Sequence, residues 1–234
     1  MGPDTRLPKP QYLKLSIIVS AVSGLVIGLW IIGRLTSAFR LFRVTRSARE
    51  QTFKTGTFIF ISNLKKPRRF DLICYQAVVP PGGLTILIHR LCGVPGDTLE
   101  IKAGVLYVNG READGPLPLR HIYRIATKDS PDIRYDQEQA YTIPPYTNTL
   151  YVVLEDERVE REKLKSERYI LPPGLRDDAI FIRYKNNWNR DHFGPVKVPA
   201  GQWFVLGDDR SNATDSRYGG FIDSSTFVGS VLWK

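Results

Sequence analysis

The stretch FVLGDDRSNATDSRYGGF, residues 204–221, decides how this chain is read. It opens as an apolar β-run and turns at once into charge: Asp208, Asp209, Arg210, Asp215 and Arg217, with Ser211 and Ser216 among them. Charge beside a β-core is costly unless it is paired and hydrogen-bonded. The segment is therefore either a catalytic loop or a clamp of charges that satisfy one another.

Outward from that stretch the pattern is mostly β. TFIFIS (57–62), DLICYQAV (71–78), LTILIHRL (84–91), TLEIKAGVLYVNG (98–110), TLYVVLE (149–155), DAIFIRY (178–184), QWFVLG (202–207) and FVGSVLW (227–233) are rich in β-branched and aromatic residues. Asn109-Gly110 is a hairpin-turn pair. Only DERVEREKLKSER (156–168) reads as a helix, capped by Asp156 and solvated by its charges. The expected fold is a coiled antiparallel sheet or barrel-like core, with a less regular α/β excursion over about 113–177.

Residues 15–33, LSIIVSAVSGLVIGLWIIG, run for 19 positions without a charge. At about 1.5 Å per residue such a helix spans the hydrocarbon core of a bilayer. A cleaved secretory signal is the rival reading, with Lys9 and Lys14 as its basic region and TSA (36–38) as its cleavage site. The apolar run exceeds the usual ~7–15 residues of a signal core, which favours a retained span. The organisation expected is a cytoplasmic tail (1–14), a transmembrane anchor (15–33), a basic, irregular juxtamembrane segment (34–54) and a β-domain (55–234).

The chain has 234 residues and a net charge of +9, enough for one ordinary domain plus an anchor. Arg34, Arg40, Arg43, Arg46 and Arg49 follow the apolar run directly, so the lipid bilayer is the expected partner of that charge. No helix-turn-helix, zinc-finger or RNA-binding signature accompanies it, and nucleic acid is not expected as a partner. Cys74 and Cys92 sit in apolar strand contexts and read as buried free thiols, a single bridge remaining open. His89, His121 and His192 have no metal-ligand spacing with them, and neither a metal nor a cofactor is expected.

Three ordered segments now come together: FRVTRSAREQTFKTGTFIFIS (42–62), ILIHRLCGVPGDTLEIKAGVLYVNG (86–110) and the opening stretch. Their order and spacing resemble type I signal peptidases, membrane-anchored serine proteases of family S26. The family pattern G-D-N-R-x-N-S-x-D-S-R meets G-D-D-R-S-N-A-T-D-S-R here, seven of nine fixed positions. The pattern K-R-x-x-G-x-P-G-D-x-x-x-x-x-x-G-x-x-Y-V-N-G is met everywhere except its first residue, which is His89. The stretch WNRDHFGPVKVP (188–199) resembles the version in Bacteroidota signal peptidases.

The resemblance implies a β-fold outside the cytoplasmic membrane, on the periplasmic side, with its active edge on the lipid. It implies a serine nucleophile activated by a neutral lysine, and a hydroxyl that helps hold the oxyanion. Laid on F-R-[IV]-P-S-x-S-M-x-P-T-[LM], this chain puts Phe42, Arg43 and Val44 on the first three positions. Arg46 falls on the oxyanion serine, Ala48 on the nucleophile, Arg49 on the methionine and Gln51 on the proline, while Thr52 matches. His89 stands where the lysine should be, and Ala213 where a serine would orient it. A methyl group attacks nothing, and losing such a nucleophile removes about four to six orders of magnitude in turnover. No intact catalytic set is expected.

The same resemblance pairs Arg90 with Asp208 and Asp215 with Arg217, which makes the charged stretch a structural clamp. The reading is a membrane-anchored pseudoenzyme that keeps a groove lined by 57–62 and 84–91. Its candidate partners are a signal peptide, the secretion machinery or another membrane protein. The alternative is an active serine endopeptidase that cleaves signal peptides with Ser47 as nucleophile, His89 as base, and Asp208 or Asp215 as orienter.

Overall fold

The computed structural model describes residues 9–35, 38–44, 53, 56–64, 66–79, 82–115, 117–126, 140–141 and 148–233. Helix α1 (Lys9–Leu35) contains the 20-residue segment Lys14–Gly33, long and apolar enough to cross a membrane and not buried against the rest of the chain. The fold beyond it is mostly β with antiparallel sheets, as the pattern of apolar runs implies.

The central sheet is built from β1 (Phe39–Arg43), β2 (Phe58–Ser62), β3 (Leu72–Val79), β4 (Gly83–Gly93), then β13 (Gln202–Leu206), β14 (Ile222–Asp223) and β15 (Phe227–Trp233). Its order is β1-β2-β15-β3-β4-β13-β14, so the last strand of the chain inserts between β2 and β3. The strands 57–62 and 84–91, expected to line one groove, share this sheet with β15 and β3 between them. They are not neighbours. Residues 39–43 form an edge strand where the sequence reads as irregular, because Phe39–Arg43 finds a complete partner in Phe58–Ser62.

A second sheet holds β12 (Phe193–Lys197), β5 (Thr98–Lys102), β6 (Val105–Val108) and β7 (Arg111–Glu112), in that order. Asn109 and Gly110 close its β6–β7 hairpin with φ of 53° and 76°, the left-handed pair a tight hairpin turn requires. A third sheet, β11-β8-β10-β9, comes from β8 (Arg120–Ala126), β9 (Ala140–Tyr141), β10 (Thr149–Glu155) and β11 (Ser166–Arg168). It falls within the expected excursion.

Two further elements depart from the sequence reading. The helix expected over 156–168 stops early: α2 covers Asp156–Glu162, Lys163 turns left-handed at φ 48°, and Ser166–Arg168 becomes β11. The strand expected over 178–184 is instead helix α3 (Asp178–Tyr184). Asp177 caps it by accepting from Ala179 N–H and Ile180 N–H, and Lys185 ends it in the left-handed region. Ile180 and Tyr184, four residues apart, both pack on the core that the first and second sheets share.

That core contains Cys92, Leu99, Ile101, Leu106, Phe193, Phe204 and Leu206, with Phe193 edge-on to Tyr184 at 4.9 Å. A separate cluster of Phe53, Ile59, Ile61, Cys74 and Val228 lies under the β2 side. The two cysteines are buried free thiols in different clusters, and burial pushes each thiol up to about 12.

Candidate functional site

Strand β4 carries His89 and Arg90 side by side, and alternation sends them to opposite faces. His89 lies opposite Ile73 in the register, beside the cluster of Ile73, Tyr75, Leu91 and Val205. It is fully buried, and its Nδ1 is 2.7 Å from the Tyr75 hydroxyl. Tyr75 reaches it diagonally across the β3–β4 pair, with ring centroids 5.7 Å apart.

Arg90 makes two bonds to Asp208, Nε to Oδ1 and Nη2 to Oδ2, each 2.6 Å. Its Nη1 donates to the Phe70 carbonyl at 2.6 Å. Asp208 follows β13 directly, so the pair rivets β4, β13 and the turn before β3. Both partners are buried.

The loop after β13 folds back around Asp215. Its carboxylate accepts from Gly207 N–H (3.0 Å), Arg217 N–H (3.1 Å), Arg217 Nε (2.9 Å) and Arg217 Nη2 (2.8 Å). Burial opposes the charge on Asp215, but the Arg217 guanidinium outweighs it and holds the carboxyl below its ordinary range. His89 lies close enough to add to that field. Ser216 Oγ accepts from Val205 N–H at 2.9 Å, stitching the loop to the strand it leaves. Ala213 is 3% exposed and packs on Gly207. A Cβ built on Gly207 would lie 2.2 Å from the Ala213 methyl, so only glycine fits there.

Each carboxylate proposed to orient His89 is thus already bound to a guanidinium: Asp208 to Arg90 and Asp215 to Arg217. The ring nitrogen Nδ1 meets a tyrosine hydroxyl. Ser47 and Ala48, together with Arg46, Arg49 and Gln51, lie outside the described residues.

The sequence reading misses two ties. Arg210 is buried and donates to Asp114 at 2.7 Å and to the Gly207 carbonyl at 3.2 Å, while Asp114 also accepts from Leu106 N–H. Ser211 Oγ accepts from Ile122 N–H at 3.0 Å. Arg210 is a fixed motif residue and so carries a signal, but nothing local marks Asp114 as its partner. These bonds lock the charged loop to the second and third sheets.

A further buried cluster sits in the excursion. His121 Nδ1 is bonded to Asp156 at 2.7 Å, Tyr123 OH donates to the same carboxylate at 2.9 Å, and Arg168 Nη2 bonds His121 Nε2. Arg168 cannot accept, so Nε2 does, and Nδ1 carries the proton toward Asp156. Burial pushes His121 below its usual pKa in spite of Asp156. Among the described residues, a cleft of about 700 Å³ lies elsewhere, lined by Arg69, Phe70, Asn109, Arg111 and Glu112 but not by His89.

Two buried arginine–aspartate pairs thus join β4, β13 and the loop that follows β13. The chain matches the model of "Signal peptidase, peptidase S26" over residues 15–234 and belongs to that family. It is 27% identical to signal peptidase I of Aquifex aeolicus over 82% of this chain and 73% of that protein. It is 28% identical to signal peptidase I of Bacillus amyloliquefaciens over 73% of this chain and 57% of that one, and 23% identical to that of Bacillus licheniformis over 92% and 82%. A crystal structure of signal peptidase I from Enterococcus faecalis V583 superposes with a TM-score of 0.39 at 24% identity, over 73% of this chain and 100% of that one. Family membership and the apolar N-terminal helix together suggest membrane anchoring.

Proposed function

We propose that this chain is a catalytically silent signal-peptidase relative, anchored in the cytoplasmic membrane with its β-domain on the periplasmic side. It keeps the family scaffold to bind a signal peptide, the secretion machinery or another membrane protein. One observation carries the reading: Ala48 stands at the position the family motif gives to the nucleophile. The site geometry supports it. His89 is buried against Tyr75, and both carboxylates considered as its orienters are bound by arginines. A base that must shuttle a proton to a peptide needs reach to it, and a scaffold pair does not.

The second reading is a working endopeptidase with Ser47 as nucleophile and His89 as base. Its support is that an imidazole, the side chain of His89, stands at the motif position of the base. Purified full-length chain in detergent, mixed with a signal-peptide substrate, separates the two. The expected result is no cleavage above background. Cleavage that vanishes in Ser47→Ala establishes the second reading instead.

A further inference from the structure

The exit of the membrane helix and the turn between β2 and β3 meet in the structure. Ala38 N–H donates to the Gly33 carbonyl at 3.1 Å, and Asn63 N–H donates to the Ala38 carbonyl at 3.4 Å. Asn63 therefore lies against the point where the chain leaves the apolar segment Lys14–Gly33. Next among the described residues of the turn come Leu64, which is 66% exposed, and the cations Lys66, Arg68 and Arg69. Arg69 is committed to Asp97 at 2.7 Å. Asp71 is engaged with the backbone N–H of Arg68, 2.8 Å away. The side chains of Lys66 and Arg68 are exposed, and neither makes an ion pair among the described residues.

Chain geometry limits where those two cations go. Lys66 is three residues from Asn63, so its Cα stays within about 11 Å of it. The headgroup layer outside the hydrocarbon core is about 5–7 Å thick, and charges are screened over about 8–10 Å. With Gly33 at the edge of the hydrocarbon and Asn63 tied to the helix exit, Lys66 and, within about 18 Å of Asn63, Arg68 are within chain reach of the phosphate layer. A cation near an anionic surface is attracted to it, and arginine adds paired hydrogen bonds to phosphate oxygens.

We propose that the β2–β3 turn docks on anionic phospholipid headgroups. Lys66 and Arg68 hold headgroup phosphates, and Leu64 sinks into the interface beside the helix exit. The contact is a second point of attachment a few residues from the first, and it fixes how the β-domain tilts on the bilayer. This rests on membrane anchoring and not on catalytic silence.

The test is hydrogen–deuterium exchange of the peptide covering 63–71 in the full chain. The chain is reconstituted in vesicles of phosphatidylcholine alone, or of phosphatidylcholine with about 30% phosphatidylglycerol. Exchange is expected to slow by about tenfold in the anionic vesicles only, and to recover when salt is raised to about 0.5 M. Inorganic phosphate added to the neutral vesicles is expected to give no protection. Lys66→Gln with Arg68→Gln, both at exposed positions, is expected to lose the protection while exchange in β4 and β13 stays unchanged. Equal exchange in the two vesicle types overturns the proposal, as does protection that survives the double substitution or is reproduced by free phosphate. Each of these leaves anchoring intact. A chain that floats with neither vesicle overturns the anchoring and the dock together, and flotation is read on the same samples.

Discussion

At the scale of single residues, buried charge is kept where it is paired. Asp215 accepts four hydrogen bonds, three of them from Arg217, inside the core. Removing one partner from such a pair leaves the other charge buried and bare, which costs about 3–5 kcal/mol. Asp215→Asn is expected to lose that much in denaturant unfolding of the purified chain. Asp209 is the internal contrast. Burial pushes its carboxyl up, and the bonds from Asn212 only partly oppose this. The family motif has asparagine there, so Asp209→Asn is expected to cost less than about 1 kcal/mol in the same unfolding experiment. Equal losses for the two variants would show that the Arg217 pairing is not what sets the cost. On the chemical side, Ala48→Ser alone is expected to leave signal-peptide cleavage at background. It supplies a hydroxyl but neither the lysine nor the orienting serine, and members of a catalytic set fail together rather than additively. Robust cleavage by that single variant would show that the rest of the machinery is intact. The pairs Arg90–Asp208 and Asp215–Arg217 are legible from motif order because each partner is a motif residue. Arg210 with Asp114 is not, since Asp114 belongs to no motif and only the folded chain brings it to Arg210.

At the scale of elements, legibility follows the period of the pattern. Strands with strong alternation or apolar runs are found where the sequence places them, as with 71–78 in β3 and 84–91 in β4. DAIFIRY is misread because its residues favour strands intrinsically, while its caps, Asp177 and Lys185, favour a helix. The caps and the burial of Ile180 win. The early end of α2 has the opposite cause: a charged, helix-prone run is interrupted so that Ser166–Arg168 can pair with β8. That pairing brings Arg168 onto His121, and the excursion then depends on pH. Burial lowers the His121 pKa, so the folded state holds the ring neutral while the unfolded chain takes up a proton below about 6.5. Stability from this group is complete above that value and falls as pH drops through it. A proton on Nε2 would also set His121 against Arg168, while Asp156 on the other nitrogen resists the loss. The melting temperature is expected to fall from pH 7.5 to pH 5.5, and less steeply in His121→Asn, which keeps a donor toward Asp156. Parallel slopes for the two proteins would remove His121 from the account.

At the scale of the whole molecule, two physical rules disagree about which side of the membrane holds the β-domain. Positive residues near a span favour the cytoplasm, and they are more numerous after this span than before it: Arg34, Arg40, Arg43, Arg46 and Arg49 against Arg6, Lys9 and Lys14. By charge alone the domain would stay inside. That rule weakens for long domains, which cross largely regardless of flanking charge, and nearly all of this chain follows the span. The dock proposed for Lys66 and Arg68 gives the basic excess another role, since cations that bind headgroups after translocation need not act as a retention signal. We therefore expect the domain outside. In spheroplasts of a two-membrane bacterium making the full chain, added protease is expected to degrade the β-domain while a cytoplasmic marker stays whole. A domain that survives until the cells are lysed would put it on the cytoplasmic side, where the juxtamembrane arginines alone would send it. It would then be cut off from any signal peptide presented at the outer face of the membrane.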